Sequence, residues 1–301
     1  MVDIRAYWQL LRPPNLITAA ADVLAGVAVA QGWNQPPIQN MGFEPISGTT
    51  IWLLASTICL YGGGVVLNDY FDASLDAIER PERPIPSGRV PRKHAGVLGF
   101  GLLLLGIACA FMSSTTSGFL AMAIAVLVIL YDAKSKVHGV IGPLNMGLCR
   151  GANLLLGISI IPSLFSETLF LAVIPIVYIA AVTLISRGEV HGAHMRSYIL
   201  AFLVYALVWA MLLMLGWLPQ FSGLYALPCV LVLMAITIPP LWTASRSNEP
   251  VNIKAAVKAG VLGIISLNAA LAAGFMGWFF GILLLLLLPI SILLAKPFAV
   301  T

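Results

Sequence analysis

Apolar runs of membrane-spanning length follow one another through almost the whole chain, and that succession limits the fold more than any other feature. They lie near 15–31, 50–67, 95–113, 117–131, 140–162, 168–186, 197–217 and 223–242. A further stretch, 256–295, is long enough for two spans broken near Gly274–Gly277. Allowing for tilt, each run covers the hydrocarbon core of a bilayer as a helix. A backbone in lipid must satisfy its own hydrogen bonds, so only helices and closed barrels can cross. Several runs are rich in Leu, Ile and Val with no strand-like alternation, which points to the all-α class. The expectation is a polytopic transmembrane helix bundle of nine or ten spans, a single domain over 1–301 with no soluble domain outside it. A composition of 60% hydrophobic and 9% charged residues agrees. The first run resembles a signal-peptide core, but many spans follow without a clear cleavage context, so it is read as retained.

The sparse charges then set the orientation. Segments 32–49, 114–116, 163–167 and 218–222 contain no Lys or Arg, whereas 68–94, 132–139, 187–196 and 243–255 carry nearly all of them, with Arg5 and Arg12 at the N-terminus. The positive-inside rule places the N-terminus and the four charged loops in the cytoplasm. Lys296 would join them if there are ten spans. The net charge of +4 is therefore a matter of topology, and nucleic acid is not an expected partner. Cys59, Cys109, Cys149 and Cys229 fall in predicted spans without metal-like spacing and read as small core residues.

Of the 28 charged side chains, ten lie between Asp69 and Lys93, directly after an apolar run. On a helix, Asn68, Asp72, Asp76 and Asp69 fall at about 0°, 40°, 80° and 100°. Three carboxylates on one face repel unless a positive charge sits among them. Mg²⁺ suits such a site, because it takes oxygen ligands from one or two carboxylates and completes its shell with water and substrate phosphate. The Pro81–Gly88 stretch that follows cannot continue a helix, and turns the arginines back as an anion clamp. A solvated loop of balanced charges is the alternative, but it has no need of the facial register.

Other polar groups share this level or lie within spans. Tyr131 and Lys136 end the fourth run, and Ser186–His194 ends the sixth. Polar groups in a span usually face a partner or a cavity. Asp22 shares a face with Asn15, and Asn145 shares one with Asn153, with Arg150 about 60° away. Either Asp22 or the Asp cluster is expected to partner Arg150. That arrangement is a cavity wall or a structural staple between helices.

Asn68-Asp69-x-x-Asp72-x-x-x-Asp76 with Arg83-Pro84-Ile85-Pro86-Ser87-Gly88 resembles the first aspartate motif, and its tail, of the UbiA superfamily of intramembrane prenyltransferases. Arg12-Pro13 with Asn15, Tyr131 with Lys136, and the Gly-rich helix that begins at Asn145 resemble other family elements in the same order. The resemblance implies nine helices around a central cavity capped by cytoplasmic polar loops and open sideways to lipid. It implies transfer of a prenyl group from an isoprenyl diphosphate to an aromatic or other lipophilic acceptor. Mg²⁺ on Asp69, Asp72 and Asp76 would stabilise the leaving diphosphate. Arg83, Arg89, Lys93, Tyr131 and Lys136 would share its charge, with Asn15, Asn68, Asn145 and Arg150 as further substrate contacts.

One departure stands out. The family's second Asp-x-x-x-Asp motif is replaced by Ser-Arg-Gly-Glu-Val-His-Gly-Ala-His, in which Glu189 is the one carboxylate. Glu189 would bind metal, and His191 would contact phosphate or act as a base, since imidazole is a poor Mg²⁺ ligand. This loop and Met146–Asn153 also look like the EboC-like branch of the superfamily. The competing reading is a catalytically degenerate relative that binds or moves a lipophilic precursor. A generic transporter fits less well, because the Asp motif has no internal duplicate.

Overall fold

A computed structural model describes residues 3–34, 47–189 and 192–298, and every regular element among them is helical. A short interfacial helix, α1 (Ile4–Leu11), leads through Arg12 into α2 (Pro13–Gly32). Proline suits the first turn of α2, where its missing donor is not needed. Arg12 itself adopts φ +47°, a left-handed conformation that a non-glycine residue holds only when its surroundings require it.

α3 (Gly48–Glu79) has 32 residues. At 1.5 Å per residue it is about 48 Å long, well beyond the roughly 30 Å hydrocarbon core, so its last turns emerge from the apolar layer. Those turns carry Asn68 to Asp76. The segment beyond them folds back. Ser87 N donates to Arg83 O at 3.0 Å, and Gly88 takes φ +75°. Ile85 and Val90 are buried against Ala6 and Leu10 of α1, which fixes the loop and Arg83 with it.

The chain continues through α4 (Arg92–Ser113), α5 (Thr115–Ala133) and α6 (Ile141–Ile158). A broken stretch, α7 (Phe165–Thr168) and α8 (Val173–Ser186), leads to α9 (Met195–Met214) and α10 (Gly223–Ser247). α11 (Pro250–Met276) is followed across Gly277, at φ +94°, by α12 (Trp278–Leu285) and α13 (Leu287–Phe298).

Nine of these stretches are long and apolar enough to cross a membrane. α6, which fills the apolar run read at 140–162, adds a tenth crossing among the described residues although its polar row lowers its mean hydropathy. Near its start, Asn145 bonds Ser135 just past the end of α5. Beyond its last turn, Ser159 Oγ lies 2.7 Å from Ser117 Oγ in the first turn of α5. The two helices therefore run antiparallel over the same depth. α13 also returns to the polar end, where Ser291 Oγ donates to Pro14 O at 3.0 Å.

α2 and α11 form the centre of the bundle. α11 is buried without interruption from Gly263 to Met276. Small residues let the central backbones touch: a Cβ on Gly26 would lie 2.2 Å from Leu154 O, and one on Gly157 2.1 Å from Val23 O. Close approach of this kind is how helices associate in lipid, where burial of apolar surface supplies little net drive. Leu104, Val97, Leu203 and Leu293 instead face outward, as a lipid-exposed surface allows.

Candidate active site

The last turns of α3, its return loop, Arg12 and the end of α5 together form a ring of alternating charge. Asp69 Oδ1 accepts from Arg12 Nη2 at 2.5 Å and from Arg83 Nη1 at 3.3 Å. The same Arg83 nitrogen donates to Asp76 Oδ2 at 2.7 Å. Asp72 pairs with Lys136, and Asn68 Nδ2 donates to Asp132 Oδ1 at 3.0 Å. The helical register predicted for the aspartates holds. Their repulsion is relieved by Arg12, Arg83 and Lys136, so the chain itself supplies the positive charge that the register demands.

Below this ring, toward the bilayer centre, lies a cavity of about 280 Å³. Arg12, Asn15, Asn68, Tyr131 and Asp132 line its polar end, and Leu60, Ile124, Val128 and Met146 form apolar walls. Thr57, Tyr61, Arg150 and Asn153 close the deep end. Arg150 Nη1 donates to Asp22 Oδ2 at 2.8 Å, which settles its partner as Asp22. Its Nη2 donates to Thr18 Oγ1 at 2.7 Å, and its guanidinium sits 4.9 Å from the centre of the Tyr61 ring. Asn153 Nδ2 at 3.0 Å and Asn268 Nδ2 at 2.7 Å complete the shell of Asp22. Arg150 is thus both a staple joining α2, α3, α6 and α11 and part of the cavity wall.

The remaining sequence candidates are placed as follows. Asn145 bonds Ser135 at 3.1 Å and pins the connection after α5, outside the cavity lining. Arg89 reaches Gln9 Oε1 at 2.8 Å and Glu82 O at 2.9 Å, away from the aspartates. Lys93 is exposed at the start of α4. Glu189 faces Arg80 and Lys254. Burial pushes its carboxyl above the ordinary value, and those two cations pull it back. The electrostatic pull of Arg80, which follows the end of α3, reaches Glu189 in the α8–α9 connection. His191 lies outside the described residues.

Two residues in the ring were not among the sequence candidates, Arg12 and Asp132. Both had a signal: Arg12 stands just before a proline that opens a span, and Asp132 follows Tyr131. The polar row running down α3 was also readable, because Thr57, Tyr61, Asn68 and Asp72 recur at helical spacing.

The donor set fits Mg²⁺. Asp69, Asp72 and Asp76 each use one oxygen for a base, and the other oxygen has no hydrogen-bond partner among the described residues. Among the described residues no three His, Cys, Asp or Glu side chains form a ready-made metal cage. An ion here would take the carboxylates from one side and complete its shell with water or phosphate, the usual Mg²⁺ mode.

The profile of the UbiA prenyltransferase family matches residues 20–259. The digeranylgeranylglyceryl phosphate synthase of Methanosarcina mazei is 34% identical over 162 residues, which cover 52% of this chain and 55% of that one. The chain spans about half the length of the curated relatives it matches. Among solved structures, a UbiA homolog from Aeropyrum pernix K1 superposes with a TM-score of 0.64 at 14% identity, over 86% of this chain and 97% of that one. A UbiA homolog from Archaeoglobus fulgidus bound to GPP and Mg²⁺ gives 0.50 at 14% identity, over 96% and 99%. These structural likenesses establish a shared helical architecture. With the profile spanning most of the chain and the aspartate ring in place, the protein belongs to the UbiA prenyltransferase family.

Proposed function

We propose that this integral membrane protein transfers a prenyl group from an isoprenyl diphosphate to a lipophilic acceptor. The observation that carries the reading is the stacking of a ring of Asp, Arg and Lys directly on a cavity with apolar walls. A diphosphate needs the first and an isoprenoid tail needs the second.

Mg²⁺ held by Asp69, Asp72 and Asp76, with Glu189 from the facing connection, supplies the charge that stabilises the leaving diphosphate. Arg12, Arg83 and Lys136 are the protein's own contribution. Released from the carboxylates, they hold phosphate oxygens, for which guanidinium forks are well shaped. Tyr131 and Asn68 orient the reacting end, and Asn15 lines its approach. The apolar walls exclude water, which protects an allylic cation from hydrolysis. Arg89 and Lys93 belong to the rim, where they steer the anion inward. By the distribution of Lys and Arg, this rim faces the cytoplasm.

The relatives support the reading in kind: one is named a synthase that makes a prenylated glyceryl phosphate, and another was solved with GPP and Mg²⁺. Within the family we assign the chain to the EboC-like branch on the Met146–Asn153 and Ser186–His194 variants. One observation favours the degenerate reading instead: Glu189 is the one carboxylate in the α8–α9 connection. Incubating purified protein with labelled geranylgeranyl diphosphate, Mg²⁺ and a lipid extract separates the two. Transfer predicts a labelled lipophilic product that Asp69→Asn abolishes. Retention of intact diphosphate, with no product from wild type, would support the binding role.

A further inference from the structure

Four carboxylates are buried among the described residues: Asp22, Asp69, Asp76 and Asp132. The first three are each paired with an arginine at 3.3 Å or less. Asp132 is different. Only 4% of it is exposed, yet no Lys, Arg or His nitrogen lies within 4.0 Å of it among the described residues. Its Oδ1 accepts from Asn68, and its Oδ2 has no hydrogen-bond partner among the described residues. It is also the one carboxylate on the cavity wall. A carboxylate locked to arginine must break that pair before it can take a proton, whereas Asp132 carries no such pair and lines the cavity where an acceptor would sit.

The cavity's charges narrow the acceptor as well. Its two cations are Arg12, held by Asp69, and Arg150, held by Asp22 and Thr18. Arg150 stays in that pairing, and Arg12, once released from Asp69, is taken up by the diphosphate, so neither meets an acceptor carboxylate. What remains for recognition is neutral: the hydroxyls of Tyr61 and Tyr131 and the amide of Asn15, since Thr57 and Asn153 are bonded to each other.

The geometry points to Asp132 as the general base of the transfer reaction and to an uncharged, hydroxyl-bearing acceptor. This inference rests on the prenyltransferase reading above. The acceptor oxygen attacks C1 of the isoprenyl chain, and the C1–O bond breaks with its electron pair leaving on diphosphate. The acceptor proton passes to Asp132 Oδ2. Asn68 ties the two halves together, since it stands next to Asp69 on α3 and holds Oδ1 of the base. Lys136, Asp72 and Arg12 all act electrostatically on Asp132, so the base sits at the boundary between the diphosphate ring and the cavity.

The test uses the full chain in nanodiscs with labelled geranylgeranyl diphosphate and Mg²⁺, offering 4-propylphenol, decanol or 4-hydroxybenzoate. Asp132→Asn keeps an oxygen for Asn68 and removes only basicity. It is expected to bind the diphosphate within about twofold of wild type and to lose at least about 100-fold in transfer to the neutral acceptors, in the range for a lost general base. Asp132→Glu should recover part of that loss. The inference is overturned if Asp132→Asn transfers within about threefold of wild type, or if it loses diphosphate binding as well. Wild-type transfer confined to 4-hydroxybenzoate, or to none of the three, also overturns it. Absence of diphosphate binding in wild type is a separate result, and strikes the prenyltransferase reading itself.

Discussion

Burying Asp22 inside a membrane-spanning helix is costly unless its charge is met, and the structure meets it with Arg150 and two amides. Removing one partner leaves the other buried and unpaired. Arg150→Met is therefore expected to destabilise the protein by about 3–5 kcal/mol, while the double variant Asp22→Asn/Arg150→Met regains most of that. Thermal unfolding in detergent with a pull-down of folded material measures both. A double variant no better than the single would argue against the pair as the source of the loss. Sequence alone left the partner of Arg150 open between Asp22 and the aspartate cluster, because helical spacing fixes which residues share a face but not which helices touch. The roles of Arg12 and Asp132 were missed for a related reason. Each lies at the end of an element, where its direction depends on a turn, and the left-handed φ of Arg12 is such a turn.

Helices in this bundle are held where their backbones meet. The contact of α2 with α6 at Gly26 and Gly157 has no room for a methyl group. Gly157→Ala should force the helices apart, cost about 1–3 kcal/mol and disturb the nearby Asp22 network. Gly101→Ala on α4, where nothing lies within 4 Å, should leave the melting temperature unchanged or higher. Equal effects of the two substitutions would contradict the packing account. At this scale the sequence was highly legible. Hydropathy placed the apolar runs to within a few residues of α2 through α10, since lipid enforces helix over each. It did not show that α3 continues past residue 67 to Glu79, because the aspartates there are polar while remaining helical. The run at 140–162 was also legible and is filled by α6, although Asn145, Arg150 and Asn153 offset its apolar residues.

For the whole molecule, ten crossings put the N-terminal helix, the aspartate ring and the end of α13 on one side. In the orientation proposed from the charge distribution, that side is the cytoplasm. In a cysteine-free background, Gln220→Cys should react with an impermeant maleimide added to intact cells, and Glu82→Cys should react only after lysis. The reverse pattern would invert the topology. The layered plan of ring, cavity and polar floor could be anticipated from the crowding of acids on one face of α3. The self-neutralisation of those acids could not, because it depends on Arg12 and Lys136 arriving from distant parts of the chain.

The central claim is that this ring holds a diphosphate through a divalent cation. The most direct measurement is binding of radiolabelled geranylgeranyl diphosphate to purified protein, with and without Mg²⁺, for wild type and Asp72→Asn. The account predicts saturable, Mg²⁺-dependent binding to wild type that falls at least about 10-fold in the variant, as expected when a metal-binding carboxylate is lost. Binding that ignores Mg²⁺, or survives intact in Asp72→Asn, would contradict it.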